Sequence, residues 1–323
     1  MKINYLVPAL ALISFTTFVN PGFADDLTKP HKSDGGMNQV NEQFLKSDFK
    51  GMLNSMKTAL MNHPKDILVQ SKVDSLLERA YLEAGNDGLP AENKLASWMT
   101  ELKVVVSRHD GDTVKYALQI NGSTRDEIEL EQMRVVHIPN QVILDKKAHI
   151  GDFDVGSGTD YDAKKTIWGE SNRSIQKLPT GLYTIHIEVK GQEPYDTWVI
   201  LDESMMSAPE ISIVTPKLNE KIDPKEFSIA WNLPTDSAKR SFETQNLYVS
   251  LAHMEPPAYS WNEIWDINFK NEIPNETKCK PPKSIQDGKR YFVHVGLSYN
   301  RRFGEIVLKR AGSKTTTQLN IDK

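Results

Sequence analysis

The stretch Leu201-Asp-Glu-Ser-Met-Met-Ser-Ala-Pro209-Glu-Ile-Ser-Ile-Val-Thr-Pro216 separates two blocks of alternating sequence. Upstream of it Tyr183, Ile185, Ile187 and Val189 alternate with polar residues. Downstream, Ile211 and Ile213, then Phe227, Ile229 and Trp231, repeat the period of two that marks a half-buried strand. The alternation stops at Asp202-Glu-Ser-Met-Met-Ser, and Pro209 has no amide proton to give a sheet ladder. The stretch therefore reads as a joint between two β-rich domains, residues 101–205 and 206–323.

In the first block, Leu102, Val104 and Val106 alternate before the turn Asp110-Gly111, and Val114, Tyr116, Leu118 and Ile120 alternate after it, which is a hairpin pattern. Further strands are expected over 127–138, 142–144, 166–168, 182–189 and 197–201. Short neighbouring segments parted by Gly, Asn, Asp and Pro predict an antiparallel sandwich. With Tyr183, Ile185, Ile187 and Val189 inward, His186 points outward beside Thr184 and Glu188.

Residues 41–100 carry a helical period instead. Leu45, Phe49, Met52, Met56 and Leu60 place one apolar stripe on a single helix over Asn41–Met61. Pro64 suits a new first turn, Val69, Val73, Leu76, Leu77, Ala80 and Tyr81 continue to Ala84, and Gly85 stops the helix. Leu95, Trp98 and Met99 suggest a short further helix, and the whole segment is expected to pack on the first sandwich. Residues 25–40 are polar and contain Pro30 and Gly35-Gly36, the composition of a flexible linker. Residues 1–24 join Lys2, an apolar run from Tyr5 to Val19 and Gly22-Phe-Ala24, the pattern of a secretory signal peptide cleaved after Ala24. A periplasmic or secreted protein follows from it. No later segment is apolar for the roughly 20 residues that a membrane helix needs.

The second block resembles a known family. Phe227-Ser-Ile-Ala-Trp231-Asn-Leu-Pro234, Leu247-Tyr-Val-Ser-Leu251 and Asp287-Gly-Lys-Arg-Tyr291-Phe-Val-His-Val295 are similar to a fibronectin type III or immunoglobulin-like domain, which has a core Trp on an early strand, a Pro after it and a Tyr opening a late strand. The resemblance implies a second antiparallel β-sandwich, so the fold class is mainly β, two consecutive sandwiches behind an N-terminal helical segment. The sequence departs from the pattern in a long insertion between Ala252 and Ile285 and in a tail, Thr315–Ile321, able to supply one more strand. The family implies no chemistry, since its fold hosts adhesion, spacing and recognition alike.

Composition narrows the function classes. The net charge is −4 over 323 residues, with no basic stripe for nucleic acid. Cys279 is the only cysteine, so no intrachain disulfide can form and the hydrophobic core must hold the exported fold. Asp152, Asp154, Asp160 and Asp162 lie around Gly156 and Gly158, a pattern able to present several oxygens to calcium. The spacing fails the EF-hand register, and a solvated strand connection explains the same residues, so both readings stay open. No zinc spacing, nucleophile elbow or phosphate loop is present.

Two stretches point to recognition. Tyr259, Trp261, Trp265 and Phe269 lie in the insertion, and the last three, four residues apart, would share one face of a short helix. Buried, that face caps the core; exposed, it is an aromatic platform for a sugar, a peptide or a protein. Arg301 and Arg302 fall in Tyr299–Gly304, read as a loop where adjacent cations could take an acidic ligand. The expectation is an exported non-enzymatic binding protein with a protein or glycan partner outside the cytoplasm. The alternative is a secreted hydrolase or metal-dependent enzyme centred on residues 152–162.

Overall fold

The computed structural model describes residues 35–110, 113–147, 155–159, 165–207, 211–217, 221–222, 227–232, 244–255, 260–270, 278–279 and 290–321. The predicted signal peptide and the four aspartates of the acidic loop lie outside these residues. The protein is mainly β with an N-terminal helical segment and several sheets.

Three helices open the described chain: α1 (Met37–Leu45), α2 (Phe49–Asn62) and α3 (Ile67–Ala84). The single helix expected over Asn41–Met61 is thus two. Ser47 adopts a positive φ of 55°, and the Asp48 side chain accepts from the Gly51 amide at 2.9 Å, so the chain turns and a new N-terminus is capped. Leu45, expected in the stripe, is left 77% exposed at this break. Met37 is fully buried, so the predicted linker gives way to structure before residue 40. Asp66 caps α3 by accepting from Leu68 and Val69, and Gly85 ends it at φ 60°.

The short helix expected around Leu95–Met99 does not form. Long-range partners claim the backbone and side chains there: Asn93 Nδ2 donates to the Trp198 carbonyl, the Leu95 amide to Glu305 Oε2 at 2.8 Å, and Tyr195 Oη to the Lys94 carbonyl at 3.1 Å. Local propensity yields to these tertiary bonds.

The strands are β1 (Met99–Asp110), β2 (Val114–Thr124), β3 (Leu130–His137), β4 (Gln141–Lys147), β5 (Val155–Thr159), β6 (Lys165–Glu170), β7 (Gly181–Val189) and β8 (Tyr195–Leu201) in the first block. After a four-residue helix, α4 (Glu203–Met206), come β9 (Ser212–Thr215), β10 (Lys221–Ile222), β11 (Ile229–Asn232), β12 (Thr244–Glu255), β13 (Ser260–Lys270), β14 (Lys278–Cys279), β15 (Arg290–Phe303) and β16 (Ile306–Ile321). Strands β4-β3-β7-β8 form one sheet and β14-β11-β9 a smaller one.

The largest sheet runs β13-β12-β15-β16-β1-β2-β6-β5, with β10 added to β16. Its central pair, β1 and β16, is parallel, Leu102 opposite Ile306 through Asp110 opposite Lys314. One hydrogen-bonded sheet therefore passes from the first sequence block into the second. Its inner face is apolar: Leu102, Val104 and Val106 of β1, Val293 and Val295 of β15 and Leu308 of β16 are all within 1% of complete burial.

Two arginines interrupt that inner face. Arg301 and Arg310 are both completely buried, and both reach residues 202–207, the predicted joint. Arg301 Nη2 donates to Asp202 Oδ1 at 2.8 Å and Nη1 to Ser204 Oγ at 3.0 Å, with the guanidinium 4.0 Å from the centre of the Tyr81 ring on α3. Arg310 Nη1 donates to the carbonyls of Ser204 and Ser207, both at 3.0 Å, and its guanidinium lies over Tyr299. Cations are favourable at carbonyls that end a helical turn, because those acceptors lack intrahelical partners. Met205 and Met206 are buried beside them.

Candidate functional site: a polar trough on the large sheet

Alternation puts residues 294, 296 and 298 of β15 on the face opposite the core residues Val293, Val295 and Tyr299. Ladder register extends this outer face as rows across the sheet. One row reads Tyr248, Gly296, Ser313, His109 from β12 to β1; the next reads Asn246, Ser298, Ala311, Ser107. The middle of each row is small. Tyr248, His109 and Asn246 flank these small residues, so the face sinks into a trough of about 550 Å³ along the join of the two blocks.

Its floor is Gly296, Ser298, Ala311, Ser313 and Ser107. A Cβ added at Gly296 would stand 3.4 Å from His294 Nε2, at the edge of ordinary contact, so larger side chains there would fill the space. One wall holds Asn246, Tyr248, Asn268 and His294, and the other Arg108, His109, Gln119 and Asn121. Tyr248 and His294 rings lie with centroids 6.2 Å apart at 58°. From β13 to β2 the face crosses five strand spacings, about 24 Å at roughly 4.8 Å each.

Hydrogen bonds fix the protonation of one wall. Ser107 Oγ gives its proton to the Ala117 carbonyl at 3.2 Å, so it accepts from His109 Nε2 at 3.1 Å, leaving His109 Nδ1 as an acceptor. Burial, then the nearby charge of Arg173, holds His109 below the usual imidazole range, with Glu170 and Asp110 opposing. Lys309 stands at one end of the trough, opposite Asn300 of β15 and Val105 of β1. Burial lowers its ammonium from the ordinary lysine range, Lys103 acts in the same direction and Glu101 opposes. The trough's described lining contains no carboxylate.

The sequence-predicted site residues fall elsewhere. Trp265 and Phe269 lie on strand β13 rather than a helix, both half-buried against the core. Trp265, Ile267 and Phe269 alternate with Asp266 and Asn268, a period of two that favours a strand, and a bulge beside Leu251 separates Trp265 from Trp261, which pairs with Met254. The helical platform of three aromatics is therefore not formed. Tyr259 lies outside the described residues. Arg301 is not in a loop: β15 continues to Phe303 and the turn comes at Gly304-Glu305, which places Arg301 in the core. Arg302 is exposed, and its carbonyl accepts from the Leu89 amide at 3.1 Å. Asp152, Asp154, Asp160 and Asp162 lie outside the described residues; among those described, no group of three His, Cys, Asp or Glu could hold a metal.

Sequence reading passed over the trough residues. Their signal was present as two small-residue steps, Gly296-Leu-Ser298 and Ala311-Gly-Ser313, in otherwise bulky strands. Only the pairing of β15 with β16 sets them side by side.

A family model described as "Protein of unknown function (DUF2861)" matches residues 32–315 of the chain. None of the curated proteins matches it. Among solved structures, a Salmonella alpha-2-macroglobulin variant is similar at 10% identity and a TM-score of 0.21 over 71% of this chain and 15% of that one. A DUF4785 family protein from Legionella pneumophila is similar at 12% identity and a TM-score of 0.20 over 69% of this chain and 54% of that one. The chain thus spans only a minor part of the first protein and about half of the second, and likenesses at these scores carry nothing about function.

Proposed function

The chain belongs to the DUF2861 family, and from that premise we propose that it is an exported, non-catalytic binding protein that holds a carbohydrate along the trough of its large sheet. The reading rests on the lining. Amides of Asn121, Asn246 and Asn268 both donate and accept, His109 Nδ1 accepts, and serines supply hydroxyls, a set suited to ligands bearing many hydroxyl groups. Tyr248 and His294 add ring surface for the apolar face of a sugar. A trough of this size is within the range of small-molecule sites.

The apolar run and Gly-Phe-Ala ending of residues 5–24 support export to the periplasm or the cell exterior. Among the described residues, no helix is long and apolar enough to cross a membrane. The two β blocks, 101–205 and 206–323, are inferred to be sandwiches, the second of immunoglobulin-like type. Tyr183 Oη donates to the Pro179 carbonyl four residues upstream, a tyrosine-corner arrangement, and Trp231 and Tyr291 are buried as such a core requires.

Glycan-array binding by the mature protein, with the Ala311→Trp variant as a plugged control, tests the reading. Retention of a glycan class by the parent, lost in a variant that melts at the same temperature, is expected. Equal retention by both proteins overturns it, and so does retention of peptides alone.

A further inference from the structure

Several of the charges beside the trough are held in pairs. Arg108 Nε lies 2.8 Å from Asp110 Oδ1, Lys103 Nζ 2.6 Å from Glu101 Oε2 and Arg173 Nε 2.9 Å from Glu170 Oε1. Gln119 Nε2 donates to the remaining oxygen of Glu170 at 3.1 Å. The Lys309 side chain has neither an ion pair nor a hydrogen bond among the described residues. Its position is built by the sheet: β16 lies between β15 and β1, so the Lys309 stem rises between Asn300 and Val105, three strands from the β13 edge and four from the β5 edge.

A half-buried ammonium without an ion pair of its own is a cost to the fold, because desolvation disfavours the ion and the attraction of Glu101, already paired with Lys103, offsets it only in part. An anionic ligand would repay it on binding. The adjacent Lys103–Glu101 pair carries no net charge as a unit, so Lys309 adds one positive charge to this end of the trough.

The geometry points to Lys309 as an anion subsite, which makes the preferred ligand an acidic saccharide whose carboxylate, sulfate or phosphate group sits at the Lys309 end while its hydroxyls meet the Asn and Ser side chains. This rests on the carbohydrate reading of the trough. A carboxylate is bound by charge-assisted hydrogen bonds from the three N–H donors of the ammonium, and the same donors serve a sulfate or phosphate ester.

The test uses the mature full-length protein and matched glycan sets: neutral oligosaccharides, the same backbones carrying uronate, and the same carrying sulfate or phosphate esters. Acidic members are expected to bind about tenfold or more tightly than their neutral parents, the gain from one charge-assisted contact. Lys309→Met should remove that preference, bringing acidic members to the affinity of their neutral parents, and Lys309→Arg should keep part of it. The Met variant should melt no lower than the parent, since an unpaired ion has been removed from a half-buried site. The ester and uronate arms identify which anion is taken. Equal binding of neutral and acidic members overturns the subsite and leaves the carbohydrate reading standing. An acid preference that survives in Lys309→Met also overturns it, because the anion is then held elsewhere. Binding of no glycan in any set overturns both.

Discussion

Arg301 Nη2 and Asp202 Oδ1 meet at 2.8 Å with side chains 0% and 2% exposed, joining the last hairpin of the chain to the segment that ends its first β block. Burial works against the Arg301 charge, yet the Asp202 carboxylate, the Tyr81 ring and Glu78 hold the guanidinium above its ordinary range. Asp202 Oδ1 also accepts from Ser204 Oγ at 2.7 Å and the Met205 amide at 3.1 Å, so one carboxylate oxygen organises α4 and pairs the arginine. Removing either partner strands a buried charge. Arg301→Leu and Asp202→Asn should each cost about 3–5 kcal/mol, whereas the double variant carrying both changes should cost clearly less than the sum. Urea melts of the three variants measure this; additive losses would mean that the pair acts independently.

Asp74, on α3, faces this cluster. Burial first, then the like charges of Asp202 and Glu203, raise its carboxyl to about 7. The folded chain therefore binds a proton that the unfolded chain releases near pH 4. Below about pH 4 both states are protonated and the group is neutral in effect; between about pH 4 and 7 the unfolded chain gains by ionising while the folded chain keeps its proton, and above about pH 7 the folded state bears the full cost of the buried anion. Asp74→Asn should leave stability unchanged near pH 4 and raise it by about 1–2 kcal/mol near pH 8, less than full linkage because solvent still reaches the group. Melting temperatures across that range decide it. A gain at low pH instead would place the effect in packing.

The parallel pairing of β1 with β16 carries a consequence for dissection. A fragment covering residues 208–323 leaves the β16 edge open over the nine positions from Ile306 to Lys314 and takes Asp202, Ser204 and Tyr81 away from Arg301. Open edges of this kind pair with other chains. Such a fragment should self-associate and melt without cooperativity, while the chain from residue 35 onward should unfold in one transition. Sedimentation and differential scanning calorimetry distinguish them, and a monomeric, cooperatively melting fragment would show that the second block stands alone.

Much of the β architecture was legible because the first block obeys a strict period of two: the predicted segment 182–189 differs by one residue from β7, and 197–201 lies within β8. His186 does point outward, between Asp196 at 2.8 Å and Glu188 at 3.0 Å. Where the reading went astray, long-range partners decided the outcome. The four-residue spacing of Trp261, Trp265 and Phe269 was compatible with a helix, but pairing with β12 captured them as a strand. Arg301 looked like surface charge because nothing local reveals Asp202, which lies 99 residues away. The trough was hidden for the same reason: Ser107, Ala311 and Ser298 are widely separated in sequence and neighbours only through register.

The aromatic insertion gives the last prediction. Trp265 pairs with Leu251 and, with Ile267 and Phe269, packs half-buried against the core, so β13 closes the edge of the sheet beside β12. A platform residue would tolerate truncation; a residue that covers Leu247 and Leu251 would not. Because part of each ring remains in contact with solvent, Trp265→Ala and Phe269→Ala should each cost about 2–3 kcal/mol, towards the lower end of fully buried aromatic truncations. The same variants should leave glycan retention by the trough intact at temperatures below their melts, since neither ring lines it. Denaturant melts and array binding on the same samples separate the roles. Unchanged stability with lost binding would return the insertion to the centre of recognition and remove it from the trough.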